Sequence, residues 1–355
     1  MSDASPDPDR FLGFENPGSQ EWWYFDAISE DGRDVVVIVW YVGLPFDPQY
    51  TMQALRHYRH PERVPGPHPI DFSAIGFSWY RDGKTIAYAL NHYDAEAVEI
   101  CNNPVHVKIG PTSFRTDRGV YHLILKTPGV DGRSEISADL RFEPASRAEP
   151  FERDLGGKGS PHYWMPVAPD CRVEGSVQIL GGANPASVDF MGRGYHDHNA
   201  GFEEISIAWK RWRWERVHFG PFTAIHYQAE PKTGRSTFLA ILCENGVPIR
   251  VREHMAFEPN DWGRSVLGIR HDRSMTTPGN SDREISIPRI TRRHRSLVDG
   301  GPFYLRWLSD FEIEGRPLTT LGISEQLEAG RLNRPYFNWM IPFRLKRLGM
   351  GLARS

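Results

Sequence analysis

The chain has 355 residues, with 42 Lys plus Arg against 45 Asp plus Glu and a formal net charge of −3. No global field therefore recruits nucleic acid or an anionic membrane, and no nucleic-acid partner is expected. Cys101, Cys171 and Cys243 share no close spacing, which argues against a disulfide framework or a zinc ribbon and fits a reducing compartment. The first residues lack the basic start and apolar run of a secretory signal, and nowhere do eighteen uncharged apolar residues follow one another. A soluble, cytoplasmic protein is expected, long enough for two cores of ordinary size.

Strand signals dominate along the chain. Gln20-Glu-Trp-Trp-Tyr-Phe-Asp-Ala27 crowds aromatics that read as the floor of a first core, with Trp23 its candidate substrate contact. Val35 to Val42 is continuously apolar and rich in β-branched and aromatic residues, which suits a strand covered on both faces. Ile75–Tyr80 and Thr85–Leu90 flank Asp82-Gly83, and Phe238–Leu242 and Val247–Val251 flank Asn245-Gly246, two hairpin signatures. Twenty-eight prolines and thirty-three glycines deny most windows the periodicity of a long helix, so helix is expected only near the C-terminus. Proline and glycine cluster between Glu149 and Pro161, which predicts an N-terminal β domain over 1–155, a C-terminal one over 156–335, and a tail over 336–355. That tail mixes aromatics with Arg344, Lys346 and Arg347, as a segment in peripheral contact with a membrane does, or a terminal element that closes the second domain.

The densest chemistry lies in Gly192-Arg-Gly-Tyr-His-Asp-His-Asn-Ala-Gly201. If this segment is extended, Tyr195, Asp197 and Asn199 share one face and His196 and His198 the other. An aromatic cavity around Asp197 would desolvate its carboxyl and raise its pKa, whereas an aspartate locked to backbone donors in a turn would do no chemistry. In Ser160-Pro-His-Tyr-Trp-Met-Pro-Val-Ala-Pro169, extension puts His162 and Trp164 on one face, as a candidate site wall or a proline-stiffened rim strand. In Trp209-Lys-Arg-Trp-Arg-Trp-Glu-Arg216, it puts Trp212, Trp214 and Arg216 together, which reads as a barrel wall with Trp212 and Trp214 lining a cavity rather than as a base-stacking platform. His196 and His198 have the spacing of a strand chelate that His162, His218 or His226 could complete. Two histidines fill only half of a zinc shell, however, and no acidic ligand sits at a recognisable spacing, so no metal is expected. Phosphate loop, dinucleotide fingerprint and nucleophile elbow are all missing from the sequence.

Taken in order, His162-Tyr-Trp164 leading through Met-Pro-Val-Ala-Pro-Asp-Cys-Arg-Val-Glu, Gly194-Tyr-His-Asp-His-Asn-Ala-Gly201 and Trp212-Arg-Trp214-Glu-Arg216 resemble the carotenoid 1,2-hydratase (hydroxyneurosporene synthase) family. Glu21-Trp-Trp-Tyr and Gly322-Ile-Ser-Glu325 look like the wider superfamily, which includes lipocalin-like Diels-Alderases. The first of these segments follows that superfamily more than the carotenoid enzymes. The resemblance implies an all-β fold of two lipocalin-like antiparallel β-barrel domains in tandem with few short helices. It implies a cofactor-free hydro-lyase that adds water across the terminal carbon-carbon double bond of an acyclic carotenoid or related isoprenoid. His162, Trp164, Tyr195 and Asp197 carry over as the essential residues. On that reading Asp197 donates the proton and Tyr195 holds it neutral and oriented. Trp164, Trp212 or Trp214 stabilises the tertiary cation, Asn199 and Trp23 contact substrate, and His162 positions water and accepts its proton. A carrier of an apolar ligand, and a cyclase or isomerase on the same scaffold, are the alternatives.

Overall fold

The computed structural model describes residues 7–146, 151–156, 159–253, 257–279, 287–338 and 340–348. Two curled sheets of 13 and 9 strands account for nearly all of it. The two dipeptide turns form as their sequences require. Asp82 and Gly83 have φ of 51° and 74°, Asn245 and Gly246 of 49° and 80°, the left-handed pairs that match the twist of the strands they join. Those strands are Ser73–Arg81 with Lys84–Tyr93, and Thr237–Glu244 with Val247–Glu253. Asp34–Val42 lies between Gln20–Ser29 and Ser73–Arg81 and is buried along most of its length, as its uninterrupted apolar run predicts.

Alternation along the strands assigns each residue of the first sheet to one of two cores. Trp23, Phe25, Ile38, Trp40, Phe77 and Phe114 pack inside the curl of that sheet. Tyr24, Val37, Val39, Trp164 and Tyr195 point the other way and pack against Trp209, Trp212, Trp214, Ile225 and Tyr227 of the second sheet. An ion pair between Asp26 and Arg216, both fully buried, pins the two sheets together.

Three expectations are corrected. The first sheet does not end at residue 155: His162–Gly181 and Ala186–Gly201 both belong to it, the latter paired along its length with Gln20–Ser29. The sheets part at Phe202–Ala208, since the 20-residue strand that opens at His162 belongs to the first sheet. A 12-residue helix, Pro48–Arg59, also occurs far from the C-terminus. Asp47 caps it by accepting from the Gln49 amide at 2.8 Å, and Pro48 occupies the first helical position, a start signal outweighed by the proline count. The tail is no free appendage: Lys346–Leu348 adds a parallel strand to Lys84–Tyr93 of the first sheet. Its basic side chains are engaged within the fold, Arg344 with Asp299, Lys346 with the Gly129 carbonyl and Arg347 with Asp47. Residues 349–355 of that predicted segment lie outside the described residues. Among the described residues no helix is long and apolar enough to cross a membrane.

Candidate active site between the two sheets

A cavity of about 170 Å³ opens between the sheets. Trp22, Tyr24, Tyr41, Asp197 and Asn199 line it from the first sheet, and Trp212, Trp214, Tyr227, Arg306 and Glu325 from the second. Phe46, Phe303, Met340 and Ile341 add apolar wall from the connecting segments and the tail. The register explains the convergence: Trp22 pairs with Asn199 and Tyr24 with Asp197, so period two sends all four side chains to the same face.

Asp197 is held at both oxygens. Oδ2 accepts from Trp164 Nε1 at 2.9 Å and from the Tyr195 hydroxyl at 2.8 Å, and Oδ1 accepts from Asn199 Nδ2 at 2.8 Å. Burial among rings pushes its carboxyl up to about 7, against the donors from Trp164 and Tyr195 that favour the anion. A carboxyl shifted so far is protonated in a substantial share of molecules at pH 7, where an unperturbed aspartate near ~3.9 would carry the proton in about one molecule per thousand. Tyr195 is thus not the group that keeps the acid neutral. As a donor it opposes protonation and fixes orientation, and desolvation does the rest.

Of the sequence-predicted residues, Asp197, Asn199, Trp212 and Trp214 line the cavity. Trp164 and Tyr195 stand one layer behind, fully buried, and act on it through Asp197. His162 also lies behind the wall, its ring 5.4 Å from Trp22 and 5.3 Å from Trp209 between centroids. Burial pulls its pKa down to about 4, with Asn199 opposing, so it is a neutral, weak base set back from the reacting space. Trp23 is the residue that the structure does not bring to the site. It faces the interior of the first sheet, stacked on His198 at 4.9 Å and bonded through Nε1 to the Asp9 carbonyl, because one step along a strand reverses the side chain. Its neighbours Trp22 and Tyr24 take the cavity positions.

His196 and His198 lie on the far face as alternation requires, but every ring nitrogen is already committed. His196 contacts the Tyr24 carbonyl and Asp9, and His198 the Pro8 carbonyl and Glu21, at 2.8–2.9 Å. With both nitrogens of each ring turned onto oxygen partners, neither ring presents a free nitrogen to a metal. Sequence reasoning missed Tyr24, Tyr227, Arg306 and Glu325 as cavity residues. Glu325 stood in the quoted Gly322-Ile-Ser-Glu325 segment, yet only the pairing of Thr320–Leu327 with Trp209–Phe219 sets it beside Trp214.

A desolvated carboxyl at the wall of a small aromatic cavity can protonate an alkene and shelter the cation that results. The chain is 29% identical to a hydroxyneurosporene dehydrogenase of Chlorobaculum tepidum, over 94% of this chain and 88% of that protein. It is 26% identical to an acyclic carotenoid 1,2-hydratase of Thiocapsa roseopersicina, over 97% of this chain and 77% of the other. The fold resembles that of CghA crystallised with Sch210972, with a TM-score of 0.60 at 14% identity over 88% of this chain and 89% of that one. A putative AttH of Nitrosomonas europaea matches with a TM-score of 0.59 at 14% identity, over 90% and 94% of the two chains. The sequence pattern of the family described as carotenoid hydratase CrtC matches residues 38–350, a span that holds every cavity residue except Trp22, Tyr24 and Val37, and the chain belongs to that family.

Proposed function

We propose that this protein adds water across the terminal carbon-carbon double bond of an acyclic carotenoid or related isoprenoid, with Asp197 as the proton donor. The observation that carries this reading is the Asp197 carboxyl, poised near neutrality at the wall of an aromatic cavity. Two ring donors engage Oδ2 and Asn199 alone engages Oδ1, so Oδ1 is the less crowded oxygen for the proton of the neutral acid. Transfer to the less substituted alkene carbon leaves a tertiary cation. Trp212, Trp214 and Tyr227 present ring faces or edges around that space, and a desolvated cation-ring contact contributes about 2 kcal/mol. Trp164 and Tyr195 are positioning residues. His162 orders Asn199 and Trp22 from behind.

Cavity size supports attack at a chain end. An apolar cavity of about 150 Å³ holds one benzene, so about 170 Å³ receives roughly one isoprene unit and its double bond, while the remaining polyene leaves through the mouth. A carotenoid resides in the bilayer, and we place a peripheral membrane contact at that mouth. Tyr336 and Phe343 are 58% and 71% exposed, in the same segment that supplies Met340 and Ile341 to the cavity wall. Incubation of the purified protein with an acyclic carotenoid in vesicles tests the reading by mass: a product heavier by one water supports hydration. An isomeric product would mean a cyclase or isomerase, and retained but unchanged pigment a carrier.

A further inference from the structure

Apart from Asp299, which Arg344 ties at 2.7 Å, the cavity holds a second carboxylate beside Asp197 that no role in proton donation requires. Glu325 sits on Thr320–Leu327, where its same-face neighbours Ile323 and Leu327 are fully buried core residues. A buried carboxylate is costly unless it is paired. Here Arg306 Nε donates to Oε1 at 2.7 Å, and the Tyr24 hydroxyl donates to the same oxygen at 3.0 Å. Arg306 is anchored in turn on the Tyr80 hydroxyl at 3.0 Å. Two donors meet on Oε1 and the Tyr304 hydroxyl is a further partner of the same carboxylate, which lines the cavity where a water can reach it. Tyr24 is also the cross-strand partner of Asp197, so a single phenol stands between the acid and this second carboxylate.

We propose that Glu325, held by Arg306 and Tyr24, is the group that orients the attacking water and takes its proton, the role that sequence alone gave to His162. This rests on the hydratase reading. The alkene π pair forms a carbon-hydrogen bond with the proton of Asp197, and a water lone pair then bonds to the tertiary cation. The water O–H bond that breaks leaves its electrons on the new hydroxyl and its proton on Glu325. One turnover ends with Asp197 ionised and Glu325 protonated, and proton transfer through water restores both. An oxygen bonded to a tertiary cation is a strong acid, so placement of the acceptor matters more than its basicity. That is why a carboxylate tied to an arginine suffices.

Protonation and capture can be read separately in D2O. Wild type is expected to give deuterated hydrate with little label in recovered alkene. Glu325→Gln is expected to lose hydrate formation by a hundredfold or more, while deuterium still enters recovered substrate as Asp197 protonates and deprotonates the cation. Normal hydration by a folded Glu325→Gln variant overturns the proposal, and so does joint loss of hydration and exchange. Should that variant fail to fold, Tyr24→Phe decides, since it keeps the Arg306 pair: a fall in the hydrate-to-exchange ratio supports the role and an unchanged ratio removes it. Wild type that shows neither reaction contradicts the hydratase reading itself.

Discussion

Trp164 donates its indole N–H to Oδ2 of Asp197 at 2.9 Å across neighbouring strands, and Tyr195 donates to the same oxygen from two residues away. Both donors stabilise the ionised carboxylate, so both work against the desolvation that lifts its pKa to about 7. Only the neutral form delivers a proton. Activity should therefore fall as pH rises through about 7. Tyr195→Phe removes one donor, and a hydrogen bond to a charged group contributes about 1.5–3 kcal/mol. The alkaline limb is then expected to move upward by about 1 to 2 pH units. A kcat/KM profile checks this, because a merely structural loss lowers the rate at every pH without moving the limb.

The same desolvation has a stability consequence. The folded-state pKa of Asp197 lies above its unfolded value of 3.8, so folding favours the protonated form. Its contribution is complete below the unfolded pKa and is lost as pH rises through about 7. Asp197→Asn stays neutral throughout. From pH 4 to pH 8 the variant is expected to gain roughly 3 to 5 kcal/mol relative to wild type, measurable by denaturant unfolding at the two pH values.

Adjacent tryptophans should separate cleanly into function and stability. Trp23→Ala empties a fully buried position of the first core and is expected to cost about 3–5 kcal/mol of stability. Trp22→Leu keeps bulk but removes a ring from the cavity wall. The loss of about 0.5–2 kcal/mol of cation stabilisation lowers kcat/KM by roughly two- to thirtyfold, with little change in unfolding midpoint. Steady-state kinetics and thermal unfolding of both variants check the division.

Because all four ring nitrogens of His196 and His198 already face oxygen partners at hydrogen-bond distance, removal of divalent metal should leave hydration unchanged. Elemental analysis of untagged protein before and after chelation checks this, and stoichiometric zinc or iron lost together with activity contradicts it.

Much of the fold was legible because it depends on local rules. Alternation placed Tyr195, Asp197 and Asn199 together, and Asp82-Gly83 and Asn245-Gly246 fixed two hairpins. What local rules cannot supply is the partner strand. Whether Trp22 or Trp23 meets the substrate depends on which face of Gln20–Ser29 packs on the second sheet, and that follows from its register with Ala186–Gly201, about 170 residues away in the chain. Glu325 and Arg306 were invisible for the same reason. Asp9, which meets His196, comes from an N-terminal segment whose sequence carries no strand or helix signal, and Glu21, which meets His198, sits at the start of Gln20–Ser29 on the face turned away from the cavity.

Turnover of an acyclic carotenoid by Asp197→Asn, in protein shown to be folded, tests the role of this acid most directly. The variant keeps the acceptor for Trp164 and Tyr195 but has no transferable proton. Hydration is expected to fall by a hundredfold or more at every pH. Hydrate formed at close to the wild-type rate would contradict the assignment of Asp197 as the proton donor.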